Sequence, residues 1–133
     1  MARFPSAEWA GLFRTALEEN AEYREAARAW EGDILLLVAP DAGAANGCGI
    51  HLDLAHGECR GAEYVEDAST VSSEFVFQAK REDWARLLRR EVDPVRAIMD
   101  GTVKVRGNLA KLMRFTRAAK ALVETAGQVP SEA

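Results

Sequence analysis

The sequence has few of the residues on which most catalytic and metal sites depend: its 133 residues include two histidines and two cysteines. It has no G-x-S-x-G, H-E-x-x-H or Walker motif, so it gives no positive argument for catalysis. The longest apolar run, residues 34–39, is far shorter than the roughly 20 residues that span a bilayer. Glu8 interrupts the segment where a signal peptide would be apolar. We therefore expect a cytoplasmic protein that is not an enzyme.

The composition is that of an ordinary folded protein. Hydrophobic residues make up 48% and charged residues 29%, which excludes wholesale disorder and a disulfide-stapled miniprotein. The chain has the length of one domain, with no internal repeat and no linker long enough to separate two. Residues 1–133 are therefore expected to form a single domain.

Charge is distributed unevenly along the chain. Residues 1–100 hold 11 basic and 19 acidic residues, whereas residues 101–133 hold six and two. The acidic total argues against a nucleic-acid partner, whose phosphates need basic residues. The basic segment either faces water and the acidic remainder, or contacts an anionic membrane. The residues that would make such a contact are Lys111, Arg114, Arg117 and Lys120.

Apolar periodicity and capping residues predict five helices. Ser6 is a good N-cap for the first, Asp93-Pro94 suits the start of a short one, and Asn108 is a good N-cap for a long last helix. The predicted helices cover residues 7–20, 21–30, 81–92, 94–100 and 109–126.

Alternation of apolar and polar residues predicts five strands. Residues 34–38 are apolar on both faces, which indicates a central strand. The predicted strands cover residues 34–38, 50–55, 62–66 and 72–78, with a fifth that begins at Val103 and ends at Gly107. The order of elements is typical of an α+β fold rather than a regular parallel sheet.

Four zinc-capable residues occur close together as Cys48-x2-His51-x4-His56-x2-Cys59. If residues 48–55 form a strand, Cys48 and His51 point to opposite faces, which argues against a metal site. A hairpin near Gly57 would put Cys59 opposite a residue closer to the turn than Cys48, so two free thiols are expected. His51 and Asp53 would share a strand face, either as an acid–base pair or as part of a polar surface.

The last predicted helix has two apolar stripes, one with Leu109, Leu112 and Met113 and one with Phe115, Ala119 and Leu122. One stripe can pack on the sheet. The other either widens the core or caps an apolar cavity, with Met99 and Met113 as adaptable lining.

Residues 84–109 read WARLLRREVDPVRAIMDGTVKVRGNL. This segment resembles the C-terminal half of the sterol carrier protein 2 family: an apolar helix, Asp-Pro, a short helix with Ala97 and Met99, Gly101, and a strand ending Lys-Val-Arg-Gly. The preceding elements fit the family in outline. The Gly/Ala/Arg-rich composition favours a bacterial member, and the ending without Ser-Lys-Leu favours the cytosol.

The resemblance implies a five-stranded mostly antiparallel sheet, helices covering one face, and an apolar tunnel between them. Met99 and Val105 are part of the motif itself. The other lining residues are inferred from the side of the helix or strand on which they lie. The complete expected lining is Phe75, Phe77, Ile98, Met99, Val103, Val105, Leu109, Leu112 and Met113.

The resemblance also implies the function. We expect the chain to bind, and to transfer, a hydrophobic ligand such as a fatty acyl chain, acyl-CoA, phospholipid or isoprenoid, without a cofactor. The alternative is an accessory protein that presents a lipid-like intermediate to biosynthetic enzymes.

Overall fold

The computed structural model describes residues 2–132, in which strands and helices alternate irregularly. In chain order the elements are β1 (Ala2–Arg3), α1 (Ala7–Glu19), α2 (Ala21–Ala26), β2 (Glu31–Val38), β3 (Cys48–Ala55), β4 (Glu58–Val65), β5 (Phe75–Ala79), α3 (Arg81–Leu88), α4 (Pro94–Met99), β6 (Lys104–Arg106), α5 (Leu109–Met113), α6 (Thr116–Ala126) and β7 (Ser131–Glu132). A 3-10 turn at Ala68–Thr70 separates β4 from β5.

Five of the strands form one sheet, in the order β4-β3-β2-β5-β6. β2 lies at its centre, pairing antiparallel with β3 and parallel with β5. The other two pairings are antiparallel. The predicted α+β fold with a mostly antiparallel sheet is confirmed, and so is the central position of residues 34–38. A separate pair of short parallel strands, β1 and β7, was not predicted.

The two faces of the sheet are covered differently. Ile34, Leu36 and Val38 belong to the main core, together with buried residues of the helices. Leu35 and Leu37 point to the other face, where they form a small second cluster with Val65 and Ala68. A short loop and the 3-10 turn therefore cover part of the face opposite the helices.

The first two helices each begin at a side-chain cap, of which the one at Ser6 was predicted. The Ser6 side chain accepts a hydrogen bond from the backbone N–H of Trp9, and Asn20 does the same for Tyr23. The second helix ends at Ala26, not at Trp30 as predicted. Its last turn is replaced by a turn in which the Trp30 N–H bonds to the Ala27 carbonyl. This turn leads the chain into β2 and directs the Trp30 ring inward.

The prediction of a single last helix is wrong, because the helix is broken into α5 and α6. Asn108 caps α5 as expected, by accepting from the Lys111 N–H. The break follows at Arg114 and Phe115, whose N–H groups bond three residues back instead of four. One straight helix cannot direct both apolar stripes to the core. The break lets the Phe115 stripe turn inward and leaves Leu109 and Met113 outside.

Other element bounds differ modestly from prediction. β4 begins at Glu58 rather than at residue 62, and α3 ends at Leu88 rather than at residue 92. β5 begins at Phe75 rather than at residue 72 and ends at Ala79, and β6 lies within the predicted fifth strand. Asp93 caps α4 through the Val95 N–H, as predicted. None of the helices within residues 2–132 has both the length and the apolarity to cross a membrane.

Candidate ligand-binding site

A small apolar cavity lies between the sheet and the C-terminal helices. Its walls come from α2 and the turn after it, from β2 and β3, and from the α5–α6 pair. Its volume is about 10 Å³, close to the space that one water molecule needs. The residues that line it are Tyr23, Trp30, Ile34, Leu54, Leu112, Phe115, Ala118, Ala119 and Leu122.

Trp30 connects the two sides of this cavity. Its ring packs edge-on against Phe115 with centroids 5.1 Å apart, and tilted against Phe75 at 5.2 Å. Both separations favour aromatic contact. The Trp30 indole N–H donates to the Gly32 carbonyl at 3.0 Å, which satisfies its polar end. The wall is therefore an aromatic cluster with its hydrogen-bonding group directed away from the cavity.

The only hydroxyl in the lining belongs to Tyr23. Burial raises the pKa of this phenol well above its usual value. Tyr23 is therefore neutral at physiological pH. The cavity lining carries no ionised side chain, which suits an apolar ligand.

A cation lies just outside the aromatic wall. Lys111 places its Nζ 4.9 Å from the Trp30 ring centroid and 5.8 Å from that of Phe75. The same ammonium donates to the Glu31 carbonyl at 2.6 Å and to Glu74 Oε2 at 2.8 Å. Lys111 thus links α5 to the first residue of β2 and to the segment that leads into β5.

The structure separates the nine residues predicted from sequence into three groups. Leu112 lines the cavity. Phe75, Phe77 and Val103 are buried in the main core, and Ile98 and Val105 are half-buried against it. Met99, Leu109 and Met113 are on the surface, with 83%, 54% and 77% of their area exposed. The lining role of the eight residues other than Leu112 stays a prediction.

Several wall residues were not predicted, although the sequence contains a signal for them. Phe115, Ala119 and Leu122 were recognised as an apolar stripe, but the assumption of one continuous helix left its direction open. The alanines at 118 and 119 are the informative positions, because small side chains on a buried helix face leave space against the sheet. Trp30 was assigned to a helix that ends before it.

The polar residues considered from sequence lie elsewhere. His51 Nε2 is 2.7 Å from Asp33 Oδ2, so its partner is Asp33 and not Asp53. Asp53 instead binds Arg60 at 2.9 Å. Cys59 is opposite Leu54 in the strand register, and both cysteines are free and buried. Burial raises the pKa of the Cys59 thiol to about 11, so this thiol is a poor nucleophile at neutral pH.

A larger groove, of about 450 Å³, lies between the α3–α4 connection and α6. Charged residues contribute much of its lining, among them Arg90, Glu91, Asp93, Lys120 and Glu124. A ligand that is mainly hydrocarbon would gain little there, because it would have to displace water from charged groups. The smaller cavity under α5 is the better candidate for an apolar ligand.

The family model of the SCP-2 sterol transfer family matches residues 13–120. The chain belongs to this family. The match covers the whole sheet, including the strands that supply Ile34 and Leu54. The family is one of lipid-binding and lipid-transfer domains that are in general not enzymes.

Solved structures agree with this assignment. A crystal structure of sterol carrier protein 2 is 37% identical and has a TM-score of 0.86, over 93% of this chain and 97% of that one. A solution structure from Thermus thermophilus, of a conserved hypothetical protein described as possibly a sterol carrier protein, is 36% identical. Its TM-score is 0.85, over 99% of this chain and 93% of that one. No curated protein matches the chain significantly.

A more distant structure, the UbiJ-SCP2 ubiquinone synthesis protein, is 16% identical with a TM-score of 0.55, over 90% of this chain and 93% of that one. At this identity the likeness concerns the fold alone.

Proposed function

We propose that this chain is a non-enzymatic protein that binds and transfers a hydrophobic ligand: a fatty acyl chain, acyl-CoA, phospholipid or isoprenoid. The observation that carries the proposal is the cavity between β2–β3 and α5–α6, whose walls are apolar and aromatic. Membership of the SCP-2 sterol transfer family supports it. The cytoplasmic location expected from the sequence stays a prediction.

The affinity of such a site comes from removing hydrocarbon from water. Each buried methylene contributes about 0.8 kcal/mol, so eight of them supply roughly 6 kcal/mol before the costs of ordering the ligand. Each additional methylene changes affinity only a few-fold. Selectivity for chain length is therefore shallow.

The proposal is tested by filling the cavity. Ala119 lines it and is half-buried, so Ala119→Phe puts a large ring into the space that a chain would use. Ala110→Phe adds the same ring at an exposed position of α5 and is the matched control. Binding of the fluorescent fatty acid cis-parinaric acid should weaken by about tenfold or more in Ala119→Phe and stay unchanged in Ala110→Phe. Equal binding by both variants would place the ligand elsewhere.

The ligand class can be read from the purified protein. Native mass spectrometry followed by solvent extraction should reveal a lipid, acyl-CoA or isoprenoid bound in stoichiometric amount. An apo mass that does not shift with fatty acids or isoprenoids would contradict the binding proposal. Stable co-purification with other chains would then favour the accessory role.

Transfer requires contact with a donor or acceptor membrane, and we extend the proposal to transient binding of anionic membranes. Of the four basic residues expected to make this contact, Lys111 is bonded to Glu74, and Lys120 lies 3.9 Å from Glu124. Arg114 and Arg117 are exposed and make no ion pair with the side chains of residues 2–131. They are the better candidates, and such binding weakens with salt.

A further inference from the structure

A cavity of about 10 Å³ cannot accept an alkyl chain unless one of its walls moves. The walls differ in how firmly they are held. β2 and β3 lie in the middle of the sheet, and α6 buries six of its residues, including Leu122. α5 buries none, and its inward residue Leu112 is only half-buried. α5 is therefore the wall that moves at the least cost in buried apolar area.

The polar contacts that hold α5 to the sheet converge on one side chain. Lys111 Nζ reaches across the Trp30 ring to the Glu31 carbonyl and to Glu74 Oε2. Its side chain is 23% exposed, so the ion pair with Glu74 is partly shielded from water. Gly32 leaves room for this pair: a Cβ at residue 32 would lie 2.8 Å from Glu74 Oε1.

Glu74 is itself held in place. Its backbone N–H donates to Asp33 Oδ1 at 2.9 Å, and Asp33 Oδ2 pairs with His51. Lys111 therefore binds the Glu31 carbonyl of β2 and the carboxylate of a residue whose backbone is bonded to Asp33 of β2. A contact between a weakly packed helix and a fixed acceptor is well placed to control whether the helix stays closed.

We propose that Lys111 is the positioning residue that keeps α5 closed over the apolar cavity. Release of Lys111 from Glu74 and the Glu31 carbonyl lets α5 lift, carries Leu112 out of the wall and admits the ligand chain. The claim that this release admits a ligand rests on the proposed binding function. The claim that Lys111 keeps α5 closed does not, and it can be tested without ligand.

Amide hydrogen exchange of the ligand-free protein measures directly how firmly Lys111 keeps α5 closed. The N–H groups of Leu112 and Phe115 are bonded at 3.1 and 2.9 Å within α5 and its junction with α6. Lys111→Met keeps the apolar stem over Trp30 and removes the charge. It should speed exchange of these two amides by about tenfold, since it removes an ion pair and a cation–π contact. Amides of α6 such as that of Val123 should keep their protection.

Matched variants separate this effect from a general loss of stability. Lys120→Met removes an ion pair that lies wholly within α6 and should not change exchange in α5. Lys111→Arg should restore most of the protection, and Glu74→Gln should reproduce part of the loss from the opposite side of the contact. Unchanged exchange at Leu112 and Phe115 in both Lys111→Met and Glu74→Gln would overturn the proposal.

The rate of ligand uptake tests the gating consequence. Lys111→Met should take up cis-parinaric acid several-fold faster than the wild type in stopped-flow fluorescence. Raising the salt from about 0.1 M to about 1 M should speed uptake by the wild type more than by Lys111→Met, because screening weakens the ion pair. Equal rates in the two proteins would refute gating. A wild type that takes up no probe would refute the binding function, while the exchange data would still decide whether Lys111 holds α5.

Discussion

α5 and α6 are consecutive helices that are packed very differently. α6 buries six of its eleven residues and packs against α1, α2 and α4, whereas α5 buries none of its five. α5 exposes Leu109 and Met113, and its main polar attachment is Lys111. One apolar wall can therefore combine a firmly packed helix, α6, with a weakly packed one, α5. The division falls at the break near Phe115.

The largest expected contrast is in stability. Leu122 on α6 is 1% exposed, and Leu109 on α5 is 54% exposed. Leu122→Ala removes buried methyl groups and leaves a cavity, so it should lower the free energy of unfolding by about 2–5 kcal/mol. Leu109→Ala should change it by no more than about 0.5 kcal/mol. Urea unfolding of both variants measures this contrast, and similar losses would show that α5 is as firmly packed as α6.

A smaller effect is expected at the membrane. The double variant Arg114→Gln/Arg117→Gln should weaken binding to anionic vesicles by about 2 kcal/mol, since each arginine near such a surface contributes about 1 kcal/mol. The control variant Arg24→Gln/Arg96→Gln changes two exposed arginines on other helices, α2 and α4, and lowers the net charge equally. Vesicle co-sedimentation in neutral and anionic lipid measures both. Equal weakening would mean that net charge, and not the α5–α6 junction, determines binding.

The smallest effect is expected on the acceptor side of the Lys111 contact. Burial alone would raise the pKa of the Asp33 carboxyl. Hydrogen bonds from His51 and from the Glu74 N–H outweigh burial, so the pKa is lowered from its ordinary value of 3.8. Charged Asp33 therefore stabilises the folded state above about pH 4, and this contribution disappears as the pH falls through the lowered pKa. Asp33→Asn should cost less than about 1 kcal/mol at neutral pH.

The pH dependence checks the sign of this effect. Urea midpoints of wild type and Asp33→Asn should differ at about pH 7 and converge at about pH 3. A difference that grows toward acid would mean that Asp33 is protonated more readily in the folded state than in the unfolded state.

Local patterns predicted the fold well. Alternation and capping located each of the five strands of the main sheet, and the caps at Ser6, Asp93 and Asn108 are observed. The break at Phe115 was missed because neither glycine nor proline marks it. The break depends on packing, since Phe115 turns to meet Trp30, which is 85 positions away in the sequence.

The arrangement of the nine predicted lining residues depends on packing more than the fold does. Leu112 lines the cavity, whereas Met99, Leu109 and Met113 are on the surface, and their role in a ligand tunnel stays a prediction. Periodicity shows that a helix has an apolar face without showing which neighbour that face meets. The contact of Lys111 with the Glu31 carbonyl has no local signal, because backbone acceptors have no sequence signature.

The position of Trp30 gives the protein a built-in optical reporter. Its indole ring lies against Phe115 and beneath the Lys111 ammonium, so lifting α5 would change both its packing and the local electric field. The other two tryptophans, Trp9 and Trp84, are fully buried, and their indole N–H groups are bonded to Ser131 and to the Leu37 carbonyl. Their emission supplies a constant background. Opening of the site can therefore be followed in the unlabelled protein as a spectral shift of one tryptophan in three.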